Sequence, residues 1–536
     1  YLHQISFTMD SQLTIDDILV DIGCGKALWI LEFLITFPMA ASSFSMLQMA
    51  FAGNVPNWEC VSNETKNLSQ SDFNVSRFKQ CFLEGVPCQH YEFDNSALTV
   101  VNQWSLVCDL SWVPATVISI QMAGVLLGNM VSGHLSDQFG RKRTLYGFLV
   151  WHSLCNVVAA FSVSWQMFAV CRFFIGTGIG GILSIVFPYS MEFLPPKWRP
   201  VVAVLPIWMV GVFALTATAY LLPNWSHMHI AIGLVPLALL LGWVYLPESI
   251  RWLAVHDRER EAIDIIDTLS KRNGKLPPSN ARSVIENVAR EKQKSAGQKH
   301  TYTYLDLFSD LYLAKLTLIL CFFWFVMSLV TYGVGFAVSS FSGNLYLNYL
   351  IITLLDIPAL PPTLWALNRF GRRWSVIGLF AISTVCAGGC LVAIFAAPVE
   401  SRDTLIKWLT ILCKVAINAV WDAVQTWQSE LYPTVVRNLG YGASNTAARV
   451  GGIAAPFVIN LDHLMMTFSI MTSVTFISFA LCFTLPETLN RPLEDNILRP
   501  RSDTSQPVAD DTVSEEHLNG NIQGHGQREQ LKSSPI

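Results

Sequence analysis

Charge is what this chain has least of. Only 14% of its 536 residues are Asp, Glu, Lys or Arg, against 52% that are hydrophobic, and the mean hydropathy is +0.40. A soluble domain does not carry so apolar a composition, which points to a multispanning membrane protein. A continuous basic face is also missing: Lys and Arg sit in short clusters between apolar runs and the net charge is −4, so nucleic acid is not an expected partner. There is no GxxxxGK[ST] loop, so ATP is not expected as a direct energy source. Metal-ligand spacing is absent among the cysteines, and neither a metal nor another cofactor is expected.

What the chain has instead is long apolar runs. Twelve of them are each near the roughly 20 residues that cross a hydrocarbon core of about 30 Å. They fall near 27–51, 112–132, 144–164, 167–190, 200–222, 227–247, 313–336, 345–367, 374–397, 405–429, 439–460 and 464–485. The first has no basic leader and no cleavage site, so it reads as a retained helix and not a signal peptide. One set of short loops holds Arg141, Lys142, Arg143, Lys197, Arg199, Arg369, Arg372, Arg373 and Arg437, whereas the other holds only Arg402. Basic loops stay in the cytoplasm, so both termini are expected there, with the plasma membrane as the expected residence.

Residues 1–26 form a cytoplasmic lead-in, in which TIDDILVDIG reads as a short amphipathic helix. The first six runs occupy 27–247, interrupted at 53–111 by a long external loop. That loop carries sequons at Asn63, Asn67 and Asn74 and four cysteines, Cys60, Cys81, Cys88 and Cys108, which allow two disulfides in any of three connectivities. The other eight cysteines lie in or near the spans and read as packing residues. Residues 248–312 form a cytoplasmic helical insert in which Ala262, Ile265, Ile266 and Leu269 share one helix face. The last six runs occupy 313–485. A cytoplasmic tail, 486–536, is mostly polar and expected to be disordered.

Three short motifs recur in order. FGRK at 139 is echoed by FGRR at 370, EFLPPKWR at 192 by ELYPTVVR at 430, and LPES at 246 by LPET at 485, with offsets of 231, 238 and 239. Near-constant offsets imply two six-helix halves joined by the insert.

These residues carry a family resemblance. GHLSDQFGRKRTL at 133–145 resembles the loop 2–3 signature of the major facilitator superfamily. WSLVCDLSW at 104–112, PESIRWL at 247–253, NLYLNYLIITLLDIP at 344–358, ELYPTVVRNLG at 430–440 and LPETLNRPLED at 485–495 resemble the organic anion, cation and carnitine transporter family. The resemblance implies an all-α membrane protein of twelve transmembrane helices in two halves. It also implies that Asp137, Arg141, Glu192, Arg199, Arg372, Glu430 and Arg437 form a charged latch at the cytoplasmic helix ends. Lys142, Arg143 and Arg373 read more simply as topology anchors.

Charges deep in a span cost roughly 2.5 to 3.5 kcal/mol each on insertion scales, which makes Glu32, Arg172, Lys414, Asp422 and Arg449 candidates for function. Glu32 is balanced between a solvated interface and a cavity. Arg172, in RFFIGTGIGG, reads at least as well as a packing residue. Lys414, Asn418 and Asp422 share one face of the tenth span. Arg449 lies 12 residues beyond Arg437, some 18 Å along the eleventh span. Its guanidinium suits a carboxylate or sulfonate, and the resemblance implies Arg here in anion and carnitine carriers and an acid in cation carriers. A structural pairing of Arg449 with Asp422 or another acid is the competing reading. WFVMSLVTYG at 324–333 resembles the seventh span of the anion carriers and places Trp324 and Tyr332 by the pathway, with Thr331 where that pattern has a second Tyr.

The reading is a transporter of small organic anions or zwitterions working by alternating access in a lipid bilayer, with no bond-making catalysis. An organic cation or carnitine-like carrier, with Asp422 or Glu32 holding the positive group, is the alternative. A sugar porter fits less well because of the long loop and the PETLN ending. A non-transporting endocytic receptor is the reading from another class.

Overall fold

Several of the long helices begin where a side chain replaces the missing helical acceptor. Ser164 accepts the Met167 N–H at 3.3 Å, Asp310 that of Tyr312 at 3.0 Å and Asn344 that of Leu347 at 3.1 Å. The computed structural model describes residues 14–60, 79–83, 86–88, 90–94, 97–199, 206–295, 303–433, 436–461 and 464–489. All of these lie within one compact unit, Tyr1–Ile497; the second unit, Leu498–Ile536, falls outside the described residues.

Each of the twelve apolar runs contains a helix. The spans are Lys26–Ala52, Val113–Phe139, Arg141–Ala159, Trp165–Met191, Ile207–Leu221, Trp225–Val244, Leu311–Ala337, Leu345–Phe370, Arg372–Ala396, Val399–Leu431, Arg437–Ile459 and Leu464–Cys482. Nine of them, among the described residues, are long and apolar enough to cross a membrane. The third and eleventh are less apolar, and the fifth is shorter over its described part. The first span breaks at Phe37–Pro38 and again at Leu47–Gln48, and the sixth tightens to a 3-10 helix from Val235, where Pro236 follows. Arg402 lies in the first turn of the tenth helix and not in a loop.

The packing repeats itself. In the first half the first span packs on the fifth, the second on the fourth, and the third on the fourth and sixth; in the second half the seventh packs on the eleventh, the eighth on the tenth, and the ninth on the tenth and twelfth. The halves meet through the second span on the eleventh and the fifth on the eighth. Close approach of the second and fourth spans needs glycine: a Cβ at Gly176 would sit 2.2 Å from the Gln121 carbonyl oxygen, and one at Gly180 2.2 Å from that of Val125.

At the end carrying the 53–111 loop, Trp58–Cys60 pairs antiparallel with Tyr91–Phe93, and Phe82–Leu83 with Val86–Pro87. The disulfides join Cys60 to Cys88 and Cys81 to Cys108, selecting one of the three possible connectivities. Asn63, Asn67 and Asn74 lie outside the described residues.

At the opposite end the insert supplies helices Ile250–Val255, Glu259–Arg272 and Ala281–Ser295. Ala262, Ile266 and Leu269 are buried and Ile265 half-buried against the same core, which also takes Ile15, Ile18, Leu19 and Ile22 from the lead-in helix Ile15–Ile22. Asn273 clamps that junction by donating to the Gly23 carbonyl at 3.0 Å.

Candidate functional site

The insert end carries two matching charge clusters. In the first half Arg141 pairs with Asp137 at 2.6 Å and Glu192 at 3.3 Å; in the second Arg372 pairs with Glu430 at 3.0 Å. No ion pair among the described residues joins one half to the other. Asp137 keeps a side chain 75% exposed. Arg199 pairs at 2.5 Å with Asp16 of the lead-in helix, an acid that sequence reading had not singled out, and Arg251 joins the same carboxylate. Arg437 donates to the Tyr432 carbonyl at 3.4 Å.

The acids of PES and PET, also unassigned from sequence, prove central to these turns. Glu248 accepts the backbone N–H groups of Arg141 at 2.7 Å and Lys142 at 3.2 Å; Glu487 accepts those of Arg372 at 2.9 Å and Arg373 at 3.1 Å. Each carboxylate thus caps a helix N-terminus, where unsatisfied N–H groups and the helix dipole favour an anion. Gly140 and Gly371 turn the chain at φ 94° and 95°, and a Cβ on either would fall 2.3 or 2.4 Å from the capping carboxylate. The recurrence of the Gly-Arg turn with PES or PET follows from this joint geometry.

Deeper in the second half, two of the three polar residues on one face of the tenth span, Lys414 and Asn418, have partners on neighbouring spans. Lys414 Nζ pairs with Asp356 Oδ2 of the eighth span at 2.7 Å, both buried. Thr331 donates to Asn418 at 3.1 Å. Asp422, one turn further on, is half-buried and makes no ion pair among the described residues. The partner of Lys414 is therefore Asp356 of the eighth span, which sequence reading overlooked.

On the turns of the tenth span that flank Asp422, Trp421, Gln425 and Gln428 meet aromatic and polar side chains of the seventh and eleventh spans. Trp324 donates through Nε1 to Gln428 at 2.6 Å, and Gln428 donates onward to Ser444 at 3.1 Å. Its ring lies 5.4 Å from Trp421 and 5.1 Å from Tyr441. Tyr441 donates to Gln425 at 3.5 Å and stacks at 6.3 Å on Phe187 of the first half. Tyr332 is buried beside Gly452, whose added Cβ would lie 3.5 Å from the ring. Trp324 and Tyr332 thus border the surface where the halves meet, but Trp324 already spends its N–H on Gln428.

Arg449 completes the group. It is 6% exposed, donates to Asn445 of its own helix at 3.2 Å, and has no carboxylate partner among the described residues. Its Nε has no hydrogen-bond partner among the described residues. The Arg449–Asp422 pairing considered from sequence does not form.

The first half holds a separate network. Arg172, fully buried, donates to Gln48 at 2.8 Å and to Gln121, while Gln48 also meets His229; these contacts tie the first, second, fourth and sixth spans together. Glu32 is 1% exposed, accepts from Ser190 through one oxygen and has no partner for the other among the described residues. The solvated-interface reading of Glu32 is thereby overturned, because the break-free stretch Lys26–Thr36 turns that side chain onto the fourth span.

Residues 62–496 match the family described as "Sugar (and other) transporter". The chain is 31% identical over 453 residues to the "Organic cation transporter protein" of Drosophila melanogaster, covering 82% of this chain and 81% of that one. It is 31% identical over 424 residues to "Organic anion transporter 3" of Sus scrofa, covering 77% of each. The chain belongs to the organic anion, cation and carnitine transporter family. Among solved structures it is similar to the "partially occluded inward open conformation of the xylose transporter XylE from E. coli", at TM-score 0.61 and 14% identity, covering 86% of this chain and 98% of that one. Another structure of XylE is described as that of a major facilitator superfamily proton:xylose symporter, and the likeness shows the shared fold. This member of the organic-ion carriers is accordingly a multi-pass membrane transporter of the major facilitator fold and not an enzyme.

Proposed function

We propose that this transporter carries small organic anions or zwitterions bearing a carboxylate, with Arg449 as the group that binds it. The observation that carries the reading is a guanidinium buried between spans that, among the described residues, is hydrogen-bonded to an amide and paired with no carboxylate. A buried charge left unpaired costs several kcal/mol, so a site that holds one is completed by an anion that arrives and leaves. The free Nε matches a planar, two-oxygen acceptor. Relatives named as organic anion transporters support the sign, while those named as organic cation transporters keep a cation carrier, with Asp422 as its acid, as the alternative.

In this reading Trp324, Tyr332, Lys414 and Asp422 belong to the pathway, and Glu32 takes a polar position along the first span. The clusters of Asp137, Arg141, Glu192, Arg199, Arg372, Glu430 and Arg437 act as the latch of alternating access. The insert and both termini face the cytoplasm of a cell whose plasma membrane holds the protein, and the loop with Asn63, Asn67 and Asn74 is glycosylated outside.

Uptake of radiolabelled carboxylates in cells expressing the chain tests the assignment. Arg449→Ala should lower uptake strongly, Arg449→Lys should rescue only in part because a point ammonium cannot copy the planar fork, and Arg449→Asp should favour cations. Loss of one charged hydrogen bond predicts roughly a ten- to hundredfold loss of apparent affinity. Normal carboxylate uptake by well-expressed Arg449→Ala would sink the proposal.

A further inference from the structure

Two adjacent acids in the first turn of the lead-in helix Ile15–Ile22 do different things. Asp17 accepts the backbone N–H and the hydroxyl of Thr14, each at 2.8 Å, and so closes the helix start. Asp16 turns away from that cap. Its Oδ1 takes Arg199, beyond the end of the fourth span, at 2.5 Å and also Arg251, on the first helix of the insert.

The helix that carries Asp16 is fastened along its length and at its far end. Ile15, Ile18, Leu19 and Ile22 are buried, and the helix packs on Glu259–Arg272 and Ala281–Ser295 of the insert. Asn273 donates to the Gly23 carbonyl at 3.0 Å and accepts the Ala27 N–H at 3.3 Å, while Lys275 donates to the Asp21 carbonyl at 2.7 Å. The turn into the first span leaves no room for a side chain: a Cβ at Gly25 would fall 2.3 Å from Asn273 Oδ1. Lifting the helix off would wet four buried aliphatic side chains, whereas Asp16 and its two arginines, each roughly a third exposed, add little to stability. The apolar stripe therefore holds the helix. Asp16 sets the direction of two guanidinium groups.

That direction matters for Glu192, the acid that Arg141 reaches at 3.3 Å. Arg251 is an electrostatic neighbour of Glu192, and Arg199 follows it closely in EFLPPKWR. Without the Asp16 carboxylate, both lose their acceptor and turn to the acid that Arg141 uses. We infer that Asp16 is a positioning residue: held on the insert by its helix, it keeps Arg199 and Arg251 off Glu192 and so reserves that acid for Arg141. The inference rests on the Arg141–Glu192 cluster as part of the latch, and it gives the lead-in helix a part in the balance between open states.

The test needs no solute. Spin labels on Gln138→Cys and Asn368→Cys, exposed positions at the insert end of the second and eighth spans, report the separation of the two halves in the purified full chain freed of its reactive native thiols. Asp16→Asn should change the ratio of short to long distances by roughly two- to fivefold, the span of one partly exposed ion pair. Asp16→Glu should restore most of the parent ratio. Thermal melting should hardly move in Asp16→Asn and should fall clearly in Ile18→Asn, which separates direction from fastening. Because Asp16 acts through Glu192, Asp16→Asn should add nothing to the shift already caused by Glu192→Gln. An unchanged ratio in Asp16→Asn overturns the inference, as do shifts that simply add in the double variant, or melting of Asp16→Asn as low as that of Ile18→Asn. Failure of the latch looks different: Glu192→Gln alone would then keep the parent ratio.

Discussion

The Glu248 carboxylate accepts the backbone N–H of Arg141 at 2.7 Å, closing the start of the third span with an acid from beyond the end of the sixth. Glu487 does the same for Arg372 at 2.9 Å in the second half. Two distant sequence motifs are thereby one structural joint, used twice. Each joint holds the arginine whose side chain reaches Glu192 or Glu430, so the caps set the geometry of the proposed latch.

The joint should fail if the turn is denied its glycine. Gly140→Ala places a Cβ at φ 94° and 2.3 Å from a Glu248 oxygen, so either the turn or the cap must give way. A cost of about 1 to 3 kcal/mol is expected from the backbone conformation alone. Glu248→Gln should cost less, on the order of 1 kcal/mol, because the amide oxygen still accepts while the charge at the helix dipole is lost. Thermal melting of the detergent-purified protein measures both, and equal melting of Gly140→Ala and the parent would contradict the geometry.

The latch itself should separate transport from folding. Arg372 and Glu430 are each about a fifth exposed, so breaking their pair by Arg372→Ala leaves Glu430 able to reach water and Thr488, its 2.5 Å partner. Folded protein should therefore still reach the surface while uptake falls and the balance between open states shifts. Labelling of single cysteines from each side reads that shift directly. Full uptake with an unchanged labelling pattern would leave the cluster as an anchor only.

How much of this was written locally in the chain depends on the range of the interaction. The apolar runs, the repeat offsets and the stripe of Lys414, Asn418 and Asp422 are local periodicities, and the helices carry them where expected. Partners are not local. NLYLNYLIITLLDIP displays Asp356 openly, but only the packing of the eighth span on the tenth makes it the counter-ion of Lys414. The same holds for Asp16 with Arg199 and for the choice of Cys60–Cys88 over two other pairings, since sequence spacing ranks none of them. Arg449 was legible as a deep charge; that no carboxylate among the described residues neutralises it required the neighbours to be in place.

The Lys414–Asp356 pair offers the sharpest separation of a structural charge from a transport one. Both side chains are buried, so Asp356→Leu leaves an ammonium without a partner, and Lys414→Met leaves a carboxylate likewise. Breaking one side of such a pair typically costs about 3 to 5 kcal/mol, whereas replacing both by apolar groups of similar size is often close to neutral. Each single variant should reduce the yield of folded protein sharply, and Lys414→Met with Asp356→Leu should recover most of it. Fluorescence-detected size exclusion with a melting series measures all four corners of the cycle. If the two losses simply add, the pair is not energetically coupled and Lys414 returns to the set of charges available to a substrate. If the double variant folds but no longer transports, the pair is needed in the cycle for more than its mutual neutralisation.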